Sequence, residues 1–226
     1  MRGHLWGLRM ITIGIPAYEG VDLLDISGPY EMLCWVNEAP GLPADKKLRV
    51  YVLSEHGRSV TTGSGLVLTP HRSFADVRSL DVLWVPGGLP DALGRIMRHR
   101  DGPYLSYLRQ AGESASWVCS VCEGALLLAQ AGLLDGHRAT THWAFTECLK
   151  RFPKVEPVEG HPRFVLSGNR LTGAGISSGL DESLRLIELL AGTEVATYVQ
   201  QQTQYFPEPP VHGEVPEPPK ACPVHW

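Results

Sequence analysis

The feature that most constrains this chain is the alternation of short apolar runs with segments of helical spacing. Ile11-Thr-Ile-Gly-Ile-Pro16, Arg49-Val-Tyr-Val-Leu53, Asp81-Val-Leu-Trp-Val-Pro86 and Ser116-Trp-Val-Cys-Ser-Val121 read as strands. The last two are apolar enough to be buried on both faces, as strands of a parallel sheet are. Between them, residues 27–31 open a helix, with Ser27 as N-cap and Pro29 in the first turn. Helical spacing returns at 104–110, 123–131, 142–151, 179–191 and 193–204, and Arg170-Leu-Thr is a short strand. Residues 60–69, with Gly63 and Gly65, read as a hairpin. Strands separated by helices at this spacing predict a doubly wound α/β fold with a mostly parallel sheet and helices on both faces.

The organisation expected is a leader or extension over 1–10, one α/β domain over 11–205, and a proline-rich tail over 206–226. The tail carries seven prolines and no periodic pattern, so it is expected to lie along the surface. A net charge of -4 with no basic patch argues against nucleic acid. No apolar run approaches the ~20 residues of a membrane helix. The start of the chain has no export signal, and a reducing cytoplasm is the expected location.

Five cysteines, an odd number in a chain of 226 residues, fit that compartment without cross-links. Cys119-x-x-Cys122 and Cys222-x-x-His225 have spacings that zinc uses, but Cys119 lies inside a strand and the second pair in the tail. No metal is expected, and a redox Cys-x-x-Cys is the weaker alternative.

The chemistry concentrates at Ser120-Val121-Cys122-Glu123-Gly124. A buried strand ends, one residue occupies the turn and a helix starts, which is the arrangement of a nucleophile elbow. The helix N-terminus is expected to favour the thiolate of Cys122 and lower its pKa. Asp25, in Leu24-Asp-Ile-Ser-Gly-Pro29, falls between the first strand and its helix. Pro86-Gly-Gly88 ends another strand at the same edge, where open α/β sheets bind ligands.

Leu-Asp-x-x-Gly-Pro, Val-Pro-Gly-Gly, Ser-Val-Cys-x-Gly, Ala139-Thr-Thr-His-Trp143 and Thr172-Gly-Ala-Gly-Ile-Ser-Ser-Gly-Leu-Asp181 occur in that order. Together they resemble the isonitrile (isocyanide) hydratase branch of the ThiJ/PfpI superfamily, from about Ile11 to Pro210. The resemblance implies a flavodoxin-like sandwich, a homodimer, a small-molecule substrate and no metal or organic cofactor. It implies Cys122 as nucleophile and Asp25 as catalytic acid, with backbone donors at Gly88, Glu123 and Ile176. His142 is similar to a histidine found near the cysteine in family members, where it either supports the thiol or only fixes a loop. Glu123 departs from the small hydroxyl residue of the hydratases. Its carboxylate either opposes the thiolate, donates to the sulfur when protonated, or turns away to solvent or a partner subunit. Rival readings are glyoxalase- or deglycase-type chemistry on an α-oxoaldehyde, or a cysteine redox sensor. A peptidase is less expected because Glu123 replaces histidine, and a DNA-binding regulator because the chain stops at Trp226.

Overall fold

A computed structural model describes residues 10–226, so the expected leader falls, but for Met10, outside the described residues. β1 (Ile11–Pro16) leads into α1 (Leu23–Cys34) and β2 (Leu48–Ser54). A hairpin of β3 (Val60–Thr61) and β4 (Val67–Leu68) precedes β5 (Arg72–Ser73). β6 (Val82–Val85) is followed by α2 (Pro90–Arg98) and α3 (Pro103–Ser114), and β7 (Trp117–Ser120) by α4 (Gly124–Gln130). β8 (Arg138–Ala139) pairs with β9 (Glu156–Pro157) around a 3-10 turn, Trp143–Phe145, and α5 (Thr146–Leu149). β10 (Phe164–Ser167), β11 (Arg170–Gly173), α6 (Ser178–Ala191) and α7 (Thr193–Gln202) complete the order.

The main sheet runs β10-β11-β7-β6-β1-β2-β5 and is parallel except for β10 against β11. The expected α/β sandwich is what forms. α1, α6 and α7 pack on one another on one side, while α2, α3 and α4 form the other layer. Trp84, Leu83, Ile13, Ile15 and Val118 lie fully buried between the layers. The chain leaves β1 toward α1 and leaves the neighbouring β6 toward α2. Strand order therefore reverses between β1 and β6, and a crevice opens beyond their carboxyl ends.

Several sequence expectations need correction. α1 begins at Leu23, four residues before the expected cap. Ser27 sits inside the helix, its hydroxyl donating to the Leu23 carbonyl at 3.0 Å. Pro29 is tolerated there because the carbonyl it cannot serve, that of Asp25, accepts the Trp84 indole N–H at 3.2 Å instead. The helix expected over 142–151 is a 3-10 turn followed by four α-helical residues. α2 and β10 are additional to the elements expected; α2 opens on Pro90 with Asp91 in its first turn and Arg95 and Arg98 in its last, which is a helix signature.

The cysteines are not all unpaired: Cys148 and Cys222 form a disulfide across 74 residues, and Cys34, Cys119 and Cys122 are free. The tail lies along the surface as expected over most of 206–221, but its end is clamped to the domain. Cys222 and Val224 are buried, Trp226 stacks on Phe152 with ring centroids 5.9 Å apart, and Arg98 donates to the His225 carbonyl at 2.9 Å. No helix among the described residues is long and apolar enough to cross a membrane.

Candidate active site

β7 ends at Ser120, α4 begins at Gly124, and Cys122 stands between them with φ +57°. That left-handed conformation is uncommon for a residue with a Cβ and is held only where surroundings over-determine it. Here the Cys122 N–H donates to the Ala174 carbonyl at 2.8 Å, and its own carbonyl accepts from the Thr141 hydroxyl at 2.8 Å. Gly124 is required because a Cβ there would overlap the Val85 carbonyl oxygen. Gly87 is required as well: a Cβ would come within 2.8 Å of the Cys122 Cβ and collide with the Glu123 carboxylate. The strand–elbow–helix geometry read from the sequence is present.

Three carboxyl groups surround the thiol. Glu123 is buried; its side chain accepts from the Cys122 thiol, and Oε2 accepts the Gly88 N–H at 3.3 Å. It thus points inward, not to solvent. Asp25 lies fully buried in the first turn of α1, with Oδ2 accepting the Gly87 N–H at 2.8 Å. Asp22, one turn earlier, was not singled out from the sequence. Its carboxylate, the Cys122 sulfur and a Glu123 oxygen all lie within 4.8 Å of one another. Asp22 is the N-cap residue of α1, so its place at the site follows from a helix start earlier than the one the sequence suggests.

Each of these groups is shifted toward its protonated form. Burial pushes the Cys122 thiol well up, the charges of Glu123 and Asp25 add to this, and the Ile176 N–H opposes it. The expected lowering of the thiol pKa is therefore overturned: one helix N-terminus does not outweigh a buried site with two acids beside the sulfur. Burial lifts Glu123 to about 7, with the thiol and the Gly88 N–H working against the rise. Burial raises Asp25 well above the carboxylate range, the Glu123 charge adds, and the Gly87 N–H offsets part of it. Asp22 is raised by burial too. Asp22, Cys122 and Glu123 are residue types that bind metals, but the Glu123 carboxylate is already engaged by the Cys122 thiol and the Gly88 N–H.

The remaining expected residues divide. Ile176 directs its N–H to the sulfur. The Gly88 N–H is engaged by the Glu123 carboxylate rather than free to meet a substrate. His142 caps the 3-10 turn, its Nδ1 accepting the Ala144 N–H at 3.2 Å, and its ring lies against Gly175. Beside Ile176, a cavity of about 350 Å³ is lined by Leu24, Thr141, His142, Trp143, Ile176 and tail residue Val215, among others.

Residues 12–189 match the model of the DJ-1/PfpI family. The chain belongs to the DJ-1/PfpI family. Among relatives within that family, it is 37% identical over 207 residues to the isonitrile hydratase of Pseudomonas putida, covering 92% of this chain and 84% of that protein. It is 28% identical over 198 residues to the HTH-type transcriptional regulator GbdR of Pseudomonas aeruginosa. That alignment takes in 86% of this chain but only half of the regulator. A ThiJ/PfpI family protein from Pseudomonas syringae superposes with a TM-score of 0.78 at 31% identity, over 90% of this chain and 78% of that one. Drosophila melanogaster DJ-1beta, at 19% identity, shares the DJ-1/PfpI fold with a TM-score of 0.72, over 87% and 98% of the two chains.

Proposed function

We propose that the chain is an isonitrile hydratase that converts an isonitrile and water to an N-substituted formamide. The observation that carries this is the buried elbow thiol held against carboxyl groups that burial shifts toward their protonated forms, Glu123 to about 7. The 37% identity to a named hydratase supports it.

In the first step the Cys122 sulfur bonds to the terminal isonitrile carbon. Its proton passes to Glu123, whose pKa of about 7 suits a base. Asp25 protonates the same carbon, leaving a thioimidate. A water oxygen then bonds to that carbon, returning one proton to Asp25, while Glu123 delivers its proton to nitrogen. Collapse of the adduct breaks the carbon–sulfur bond, the hydroxyl proton returns to sulfur, and the formamide leaves. Splitting the hydration into two additions is what the covalent nucleophile contributes. The Ile176 N–H stabilises negative charge on sulfur as it develops. The reading includes a homodimer and involves no metal or organic cofactor.

The test is formamide production from an aryl isonitrile, followed by absorbance, with methylglyoxal run in parallel. Formamide formed by the wild type and not by Cys122→Ala is the expected result. Consumption of methylglyoxal without any formamide would replace this reading with the α-oxoaldehyde one.

A further inference from the structure

Asp25 Oδ1, Ser120 Oγ and Ser178 Oγ are buried without a hydrogen-bond partner among the described residues, and the buried Glu182 carboxyl has only the Ser120 N–H facing it. Buried polar atoms are nearly always partnered, so a group of failures in one place calls for a reason. The Asp25 charge reaches Glu182, and the Ser120 N–H faces its carboxyl. Ser120 ends β7, two residues before Cys122. Ser178 and Glu182 lie four residues apart on α6 and share a face. α6 packs on α1, where Leu180 Cδ2 would lie 3.2 Å from a Cβ at Gly28. The Glu182 carboxyl fills the space a Cβ of Gly173 would need, and that Cβ would stand 3.5 Å from Val121 Cγ2. Glu182 is fully buried.

We infer that Glu182 is a positioning residue of the thiol site, a buried acid that shares its proton toward Asp25 through an ordered water held by the unpartnered oxygens of Ser120 and Ser178. The inference rests on the reading of Asp25 as the proton-transfer group. Neighbouring polar atoms that do not bond one another directly are the usual hosts of an internal water, which would complete the chain of hydrogen bonds. The titratable groups facing Glu182 are Asp25 from α1 and Cys119 from β7, and Arg170 of β11 acts on Cys119. Burial holds Glu182 well above the carboxylate range, the Asp25 charge adds, and the Ser120 N–H opposes. Glu182 feels the Asp25 anion, whereas Asp25 is raised by burial, Glu123 and Asp22. An anion at Asp25 therefore favours the protonated form of Glu182. A neutral Glu182 then donates toward the Asp25 anion and stabilises it.

Two variants separate this from a packing role. Glu182→Gln keeps the shape and a donor but has no acid proton, and Glu182→Leu removes the donor. In infrared difference spectra at pH 7, wild type against Glu182→Gln should show a protonated-carboxyl stretch that the variant lacks. In Glu182→Leu the Asp25 anion loses its donor, so the alkaline limb of isonitrile turnover should move up by about one pH unit, or about tenfold at fixed pH on that limb. Glu182→Gln should stay near wild type. The Cys122 alkylation midpoint, read by peptide mass spectrometry, should fall in Glu182→Leu, because Asp25 stays neutral to higher pH and no longer raises the thiol. An absent carboxyl band, or a folded Glu182→Leu whose alkylation profile superimposes on wild type, overturns the inference. If the wild type turns over no isonitrile, the proposed activity falls, while the infrared and alkylation measurements still decide the role of Glu182.

Discussion

Cys119 and Cys122 are three residues apart, both free and both almost fully buried, yet they occupy different chemical settings. Cys119 lies within β7, in register with Trp84 on one neighbouring strand and Leu171 on the other. It fills core volume as a small apolar group would. Cys122 lies just past the strand end, in a left-handed turn at the sheet edge, with Asp22 and Glu123 within 4.8 Å of its sulfur. Burial raises the pKa of both thiols. Burial therefore does not distinguish a reactive cysteine from a structural one. What distinguishes them is whether groups able to take and return the proton stand beside the sulfur.

The largest effect expected is on turnover. Cys122→Ala should abolish formamide production with the fold retained, as circular dichroism would verify. Cys119→Ala should keep most of the activity. If the two variants lose activity alike, the contrast between strand and elbow breaks down and a redox Cys-x-x-Cys gains support.

Asp25→Asn comes next. It preserves the shape but cannot exchange a proton, so turnover should fall by about 10²-fold or more. Steady-state rates near wild type would remove Asp25 from proton transfer and turn attention to Asp22, whose carboxylate lies within 4.8 Å of the sulfur.

Glu123 sharpens the comparison through pH. Its carboxylate accepts from the thiol and raises the thiol pKa, so Glu123→Thr should shift Cys122 alkylation to lower pH. Its own pKa rises from 4.5 to about 7 on folding, so the folded protein binds that proton more tightly than the unfolded chain. The stability this contributes is complete below about pH 4.5 and is lost as pH rises through 7, a fall of about 3 kcal/mol for this one group. Urea titrations at pH 5 and pH 8 should show that loss in wild type and a flatter dependence in Glu123→Gln.

The smallest effect belongs to Cys119. Cys119→Ala deletes one buried sulfur from a close-packed strand and should cost about 1–2 kcal/mol by urea unfolding, without moving the alkylation midpoint of Cys122. A shift in that midpoint would mean the two thiols are coupled, with Glu182, which faces Cys119, as the group between them.

Much of this was legible locally. The apolar runs located β1, β2, β6 and β7 to within a residue or two, because a strand buried between two helical layers must be apolar throughout. The Ser120–Gly124 pattern identified the elbow, because a turn this tight leaves no room for a Cβ at residue 124. The start of α1 was missed. Pro29 reads as a first-turn residue, and only the distant Trp84 indole supplies the bond that allows it in the helix interior.

The sequence by itself determined the layered α/β architecture, the strand–elbow–helix unit and which cysteine stands at its tip. Each is written in the spacing of neighbouring residues, where side-chain size and backbone freedom act directly. Tertiary structure decided the sign of the thiol pKa, the inward turn of Glu123, the approach of Asp22, the burial of Glu182 and the Cys148–Cys222 clamp. Those depend on solvent exclusion and on charges or thiols brought together from distant segments: α1, β7, α6 and the tail are far apart in the chain and meet only when the sheet closes under its helices.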